Sequence, residues 1–383
     1  MHSIFFISMM NGAAWGGSEE LWYRAALYAA DQGYQVACAV YDWKEKQPRL
    51  VELQRRGIQV FCLPNGGRKK ETFFQKWQYK LVTKTRLAAA VRRLPLETFD
   101  LVVVNQGGFE VMEKPWKQLY KRLPHYALVF HNYNEHQQFK PRKAAVLKQW
   151  IHHASVNLLA AGRMQVVLEE KLQKAMPNAA VLRNPITFVP PGAATPLPAL
   201  QPTAVFVMLA ALEVGRKAQD HLISALAGPQ WKERNWQLHL YGEGKDQALL
   251  QSLIRQYGLE HKIVLKGHTA DVKTALQEAH LVLQMTHIDA MPLSVMEAMA
   301  MGRPVLVRRV GDMPEWVQQD VNGWVSPDAS VEAITAVLET AWKNQHRWQQ
   351  MGEQSFALFG EKYPVQPEAY FLQQLQLKEK SAV

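Results

Sequence analysis

Apolar residues in this chain gather into short continuous runs, and the stretches between the runs carry them at helical spacing. The runs "SIFFISM" (3–9), "YQVACAVY" (34–41), "IQVFCLP" (58–64), "FDLVVVNQ" (99–106), "YALVFHN" (126–132), "NLLAAG" (157–162) and "AAVLRNPI" (179–186) show little alternation. That is the pattern of parallel strands covered on both faces. Helices are predicted between them, from about Ser18 to Gln32 and through "PRLVELQRRG" (48–57). The stretch 187–203, "TFVPPGAATPLPALQPT", holds five prolines and reads as a linker. The alternation then restarts with "AVFVMLAAL" (204–212), "WQLHLYGEG" (236–244), "KIVLKG" (262–267), "HLVLQMT" (280–286) and "PVLVRRVG" (304–311). Two doubly wound α/β domains follow, at 1–186 and 204–362, with the cleft between them as the expected ligand site. The remainder, 363–383, reads as one more helix crossing back to the first domain.

A chain of 383 residues is long enough for two cores, and 48% hydrophobic with 20% charged residues is a globular composition. No run of about 18 apolar residues occurs, so no membrane-spanning helix is expected. The first apolar run lacks a preceding cluster of Lys or Arg and reads as a buried strand, not a secretion signal. Cys38 and Cys62 each lie inside an apolar run and far from any CxxC pair, which predicts buried free thiols in a reducing compartment.

The net charge of +10 is unevenly spread: residues 1–185 hold 27 Lys and Arg against 14 Asp and Glu, and residues 186–383 hold 17 against 20. The basic half is expected to face an anionic substrate or surface. Within it, 66–93 interleaves cations with Phe, Trp and Tyr. That stretch reads either as a solvated basic helix or as an interfacial segment on anionic lipid. No nucleic-acid recognition motif accompanies it. The expected location is cytoplasmic, with a peripheral place on the inner face of a membrane.

The densest chemical signal is "HIDAMPLSVMEAMAMGRPVLV" (287–307). Pro292 suits the first position of a helix that runs to a stop at Gly302 and Pro304. The turn and helix start, Ala290, Met291, Pro292 and Leu293, would aim the positive dipole end at a diphosphate. Asp289 and Glu297 bracket that start, and like charge keeps carboxylates off phosphates. They suit hydrogen bonds from sugar hydroxyls; the plainer alternative is a surface acid and a helix-start acid. No Asp-x-Asp metal clamp occurs, and "YGEG" lacks the third glycine of a dinucleotide fingerprint.

Asp289, seven residues and Glu297, with Pro292 fourth and "EAMAMGRPV" after, resembles the motif of the retaining glycosyltransferases of family 4, which have the GT-B fold. The glycine pair Gly16 and Gly17 after the first strand, "NP" at 184–185, "KAQD" at 217–220, "GDMPEWV" at 311–317 and "NGWVSPD" at 322–328 extend the likeness along most of the chain. The resemblance implies that Glu297 holds the ribose of a nucleotide and Asp289 the transferred sugar. The family usually has Glu at the latter position, one C–C bond or ~1.5 Å longer. It also implies that Lys217, or Arg216 one residue earlier, pairs with the diphosphate, and that His131 stands close to the reacting sugar. The family's second cation is missing, since Leu212 or Ala211 occupies its place.

Gly16 and Gly17 are expected to keep side chains out of the cleft and to offer N–H groups to the donor phosphate when the domains close. The implied reaction is metal-independent and needs no cofactor: a UDP- or GDP-sugar gives its sugar, with retention, to a glycan, lipid-linked or small-molecule acceptor. Same-fold alternatives are a nucleotide-sugar epimerase, a phosphorylase or a catalytically silent nucleotide-sugar-binding protein.

Overall fold

A computed structural model describes residues 2–11, 14–65, 85–131, 134–199 and 203–375. The chain divides into two compact units, Met1–Pro185 with Gln366–Val383, and Ile186–Val365.

The first unit is built on seven parallel strands: β1 (Ser3–Ser8), β2 (Gln35–Tyr41), β3 (Gln59–Leu63), β4 (Leu101–Gln106), β5 (Tyr126–Phe130), β6 (Val156–Leu159) and β7 (Ala179–Val181). Their order is β3-β2-β1-β4-β5-β6-β7, so the winding reverses between β1 and β4. Five of the strands are buried along most or all of their length, as their unbroken apolar runs require. The edge strand β3 is only half covered, and Cys62 on it is exposed. The expectation of two buried thiols therefore holds for Cys38 alone.

The helix Gly17–Asp31 covers one face, burying Leu21, Trp22, Ala25, Ala26 and Ala29 against Ile4 and Phe6. Its first turn carries a buried carboxylate, Glu19, satisfied from three directions. Lys46 forms an ion pair with it, Trp22 Nε1 donates to it, and Ser8 Oγ donates at 2.6 Å. A charge so placed is tolerated only because it is paired and hydrogen-bonded. The helix Pro367–Gln374 lies in this unit: Phe371 enters the core, Tyr370 Oη donates to Val181 O at 3.2 Å, and Glu368 pairs with Arg24 at 2.5 Å. Of the basic stretch, 66–84 lies outside the described residues, and a helix over 85–92 buries Leu87 and Val91.

The second unit has six parallel strands: β8 (Ala204–Leu209), β9 (Trp236–Tyr241), β10 (Ile263–Gly267), β11 (Leu281–Gln284), β12 (Val305–Arg308) and β13 (Gly323–Ser326). Their order is β10-β9-β8-β11-β12-β13, with the reversal between β8 and β11. Phe206 stacks on Trp236 and meets Trp231, Trp342 and Trp348 edge-on at the core. Among the described residues no helix is long and apolar enough to cross a membrane.

The proline-rich stretch is docked, not a free tether. Thr195 N donates to Met301 O, Leu197 N donates to Gln349 Oε1 at 2.9 Å, and Ala199 O accepts from the His280 ring. Arg303, fully buried, holds it in place: its guanidinium donates to the carbonyls of Leu276, Thr195, Met301 and Gln277 at 2.6–3.3 Å. Burial brings that guanidinium down to about 10. Arg303→Met removes one donor from each of those carbonyls and is expected to destabilise the second unit by about 3 kcal/mol in urea unfolding. A loss under 1 kcal/mol would show that the staple is dispensable.

Candidate functional site

In an open parallel sheet, ligands are met beyond the carboxyl ends of the strands, where the winding reverses. In the second unit that place is the loop after β8 and the loop after β11. The first ends in a short helix, Val214–Lys217, broken by left-handed Ala218 before the helix Gln219–Leu226. The second, Thr286–Pro292, leads into the helix Leu293–Ala300. Pro292 has extended backbone and caps this helix one position before its first residue, a shift of one from the sequence expectation. Every residue from Ser294 to Ala300 is buried.

The two loops are tied together. Lys217 Nζ forms an ion pair with Asp289 Oδ2, their side chains 11% and 18% exposed. Arg216 takes no part through its side chain, which is 55% exposed and lies 3.6 Å from Glu213. Its carbonyl accepts instead from Thr286 Oγ1 and from the amides of His287 and Ile288. Arg308 Nη1 donates to the carbonyls of His287 and Thr286 at 2.7 and 3.3 Å. Thr286 and Arg308 thus fix the turn that carries Asp289. Gly311 completes it: φ is +56°, and a Cβ there would collide with the carbonyl oxygens of Asp289 and Ala290. The next amide, Asp312 N, donates to Ala290 O at 2.9 Å.

A cavity of about 330 Å³ opens at the ends of β8, β9 and β10, lined by Leu209, Ala211, Tyr241, Glu243, His268 and Thr269 among others. Of the two residues at the place of the missing cation, Ala211 lines this cavity and Leu212 is buried in the core. "YGEG" has a steric role here. A Cβ on Gly244 would collide with the Leu212 backbone, which accepts from Asp246 N and donates to Glu243 O.

Glu297 points inward from its helix, 3% exposed. Its Oε1 accepts from Thr187 N at 3.0 Å and from Thr187 Oγ1 at 2.7 Å. Burial raises its pKa, and the two bonds from Thr187 oppose that rise.

In the first unit, Gly17 starts its helix and Gly16 caps it in an extended conformation open to any residue, with nothing within 4 Å of a Cβ built there. Neither backbone nor packing therefore requires glycine at Gly16. His131 follows β5, its Nε2 2.8 Å from Asn105 Oδ1, while Asn105 Nδ2 donates to Ser18 O at 3.2 Å. The second bond fixes the amide's orientation, so Nε2 carries the imidazole proton. Burial lowers the His131 pKa to about 4, leaving a neutral ring.

The expected residues fall into two groups, with Lys217, Asp289 to Leu293 and Glu297 in the second unit, and Gly16, Gly17 and His131 in the first. Thr187, Thr286, Arg308 and Asn105 had no sequence signal of their own. Gly311 stood in a quoted motif without a role.

Residues 198–357 match the family model for glycosyl transferases group 1. That match lies within the second unit and covers most of it. The fold of the whole chain is GT-B: the structure of HepE from Anabaena in complex with UDP aligns at TM-score 0.74 and 17% identity, over 98% of this chain and 99% of that one. Sucrose-phosphate synthase from Thermosynechococcus elongatus aligns at TM-score 0.75 and 15% identity, over 98% of each. By sequence, the chain is similar to the amylovoran biosynthesis glycosyltransferase AmsK of Erwinia amylovora, 32% identical over 107 residues, 26% of each chain. The chain matches between 19% and 42% of the length of its curated relatives.

Two consequences of the geometry are open to measurement. Gly311→Ala should cost about 3 kcal/mol in unfolding, because left-handed backbone and a backbone collision act together; a neutral substitution would refute the packing role. His131 is neutral when folded and charges when unfolded, so folding loses stability as pH falls from about 6.5 towards about 4. In His131→Asn that part of the pH slope should vanish from urea unfolding curves, and an unchanged slope would contradict its burial as a neutral ring.

Proposed function

We propose that the chain is a retaining, metal-independent glycosyltransferase of family 4 type. It moves a sugar from a UDP- or GDP-sugar to an acceptor hydroxyl in glycan, glycolipid or cell-surface polysaccharide synthesis. The observation that carries this reading is the convergence of Lys217, Asp289 and the start of the helix Leu293–Ala300 on one strand-end turn of a unit that matches the group 1 family model. HepE, which shares the fold, has been seen with UDP and with UDP-glucose.

As the glycosidic bond breaks, negative charge grows on the departing diphosphate, and groups aimed at that charge lower the barrier. Lys217 and the positive end of the helix dipole supply them. Asp289 holds Lys217 beside the helix start and meets hydroxyls of the transferred sugar; Glu297 accepts from the ribose. The cavity at Ala211 and Tyr241 takes the base. The first unit offers neutral His131 and the glycine turn at Gly16 and Gly17 for contact with the sugar and the acceptor. An oxygen of the departing diphosphate takes the acceptor proton, so no carboxylate nucleophile is needed. The excess of cations in the first unit suits an anionic acceptor or an anionic membrane surface, which salt would screen. Ala211 or Leu212 in place of a family cation favours one second reading, a catalytically silent nucleotide-sugar-binding protein.

Glu297→Gln and Lys217→Ala should each lower turnover tenfold to a thousandfold, with melting points near that of the parent chain. Normal transfer by both variants would contradict the assignment. Donor binding without any transfer or hydrolysis by the parent chain would select the silent reading.

A further inference from the structure

Glu297 is an acid in an otherwise uncharged helix that is buried from Ser294 to Ala300, and one residue supplies both hydrogen bonds seen at its carboxylate among the described residues. Thr187 gives its backbone N–H and its hydroxyl to the same oxygen, Oε1, from 110 positions away in sequence. Thr187 is itself held in place. It lies at the start of the second unit, and its neighbour Ile186 donates its N–H to Tyr363 Oη at 2.9 Å.

We propose that Thr187 is a positioning residue for ribose recognition: by occupying Oε1 twice, it turns Oε2 of an ionised Glu297 toward the ribose hydroxyls of the nucleotide. This rests on the reading of Glu297 as the ribose acceptor. Two donors from one residue fix both the position and the rotation of the carboxylate, which a single contact would leave free. They also oppose burial, which favours the protonated acid. A protonated carboxyl would present one acceptor fewer and an added donor, and would read a ribose hydroxyl less sharply. The hydroxyl is the part of this arrangement that substitution can remove, since the amide remains in every variant except proline.

The test compares binding of UDP and GDP with binding of their 2′-deoxy and 3′-deoxy analogues to the full chain by calorimetry. The parent should prefer the ribonucleotide by about tenfold or more over at least one analogue, the size expected for a hydrogen bond to a charged group. Thr187→Val, nearly the same shape, should cut that preference at least threefold, and Thr187→Ser should restore it. Glu297→Gln should abolish most of it.

A Thr187→Val variant with a lower melting point but full ribose preference would reduce Thr187 to a structural contact and overturn the proposal. Full preference retained in Glu297→Gln, or no binding of either nucleotide by the parent, would instead overturn the reading of Glu297 on which it rests.

Discussion

A carboxyl group inside an otherwise apolar helix is the constraint around which the second unit is organised. The helix Leu293–Ala300 has no solvent face beyond its first residue, so Glu297 must find its hydrogen bonds inside the protein. The start of the unit supplies them, as Thr187 reaches Oε1. At the far end, Arg303 ties the proline-rich stretch to Met301 and to the end of the helix Val272–Gln277. The helix is thereby held at its middle and just beyond its last residue, and the turn before it that carries Asp289 is locked by Gly311 and by the Arg216 carbonyl. Much of "EAMAMGRPV" is thus a strut, and its chemistry depends on its rigidity.

The first unit places its polar residues by a comparable device. Glu19 anchors the first turn of the helix behind the glycine pair through Lys46, Trp22 and Ser8. Trp15, just ahead of that pair, donates to Glu20 and lies under the Arg49 guanidinium at 4.2 Å. Asn105 then joins the same helix start to His131. The glycine turn and the histidine are therefore parts of one hydrogen-bonded assembly at the carboxyl edge of the sheet. Gly16 stands out in it as a glycine whose absence of side chain nothing in the unit itself demands.

The alternation of strands and helices was legible because it is a local property: apolar runs and turn residues report directly on a strand covered on both faces. The exceptions are physical. β13 lacks an apolar run, since "GWVS" owes its burial to pairing with β12 and to Trp324 in the core. The proline-rich stretch reads as a tether because composition speaks of its backbone and not of the carbonyls and donors across from it. Cys62 is exposed because its run forms an edge strand, and strand order is not written in a run. At the site, the motif's context favoured Lys217 with Arg216 one residue away as the alternative; the fold separates them, since Lys217 pairs with Asp289 while the Arg216 side chain lies exposed near Glu213. Thr187 was invisible for a related reason, since its partner is brought to it only by the fold.

The central claim, that the second unit is built to hold a nucleotide diphosphate, is tested most directly by the melting temperature of the full chain with UDP, GDP and ADP added separately in large excess. A ligand held by the native state at 100 times its Kd adds ~2.7 kcal/mol of stability. UDP or GDP is predicted to raise the melting temperature by several degrees, and no shift with any of the three would contradict the claim.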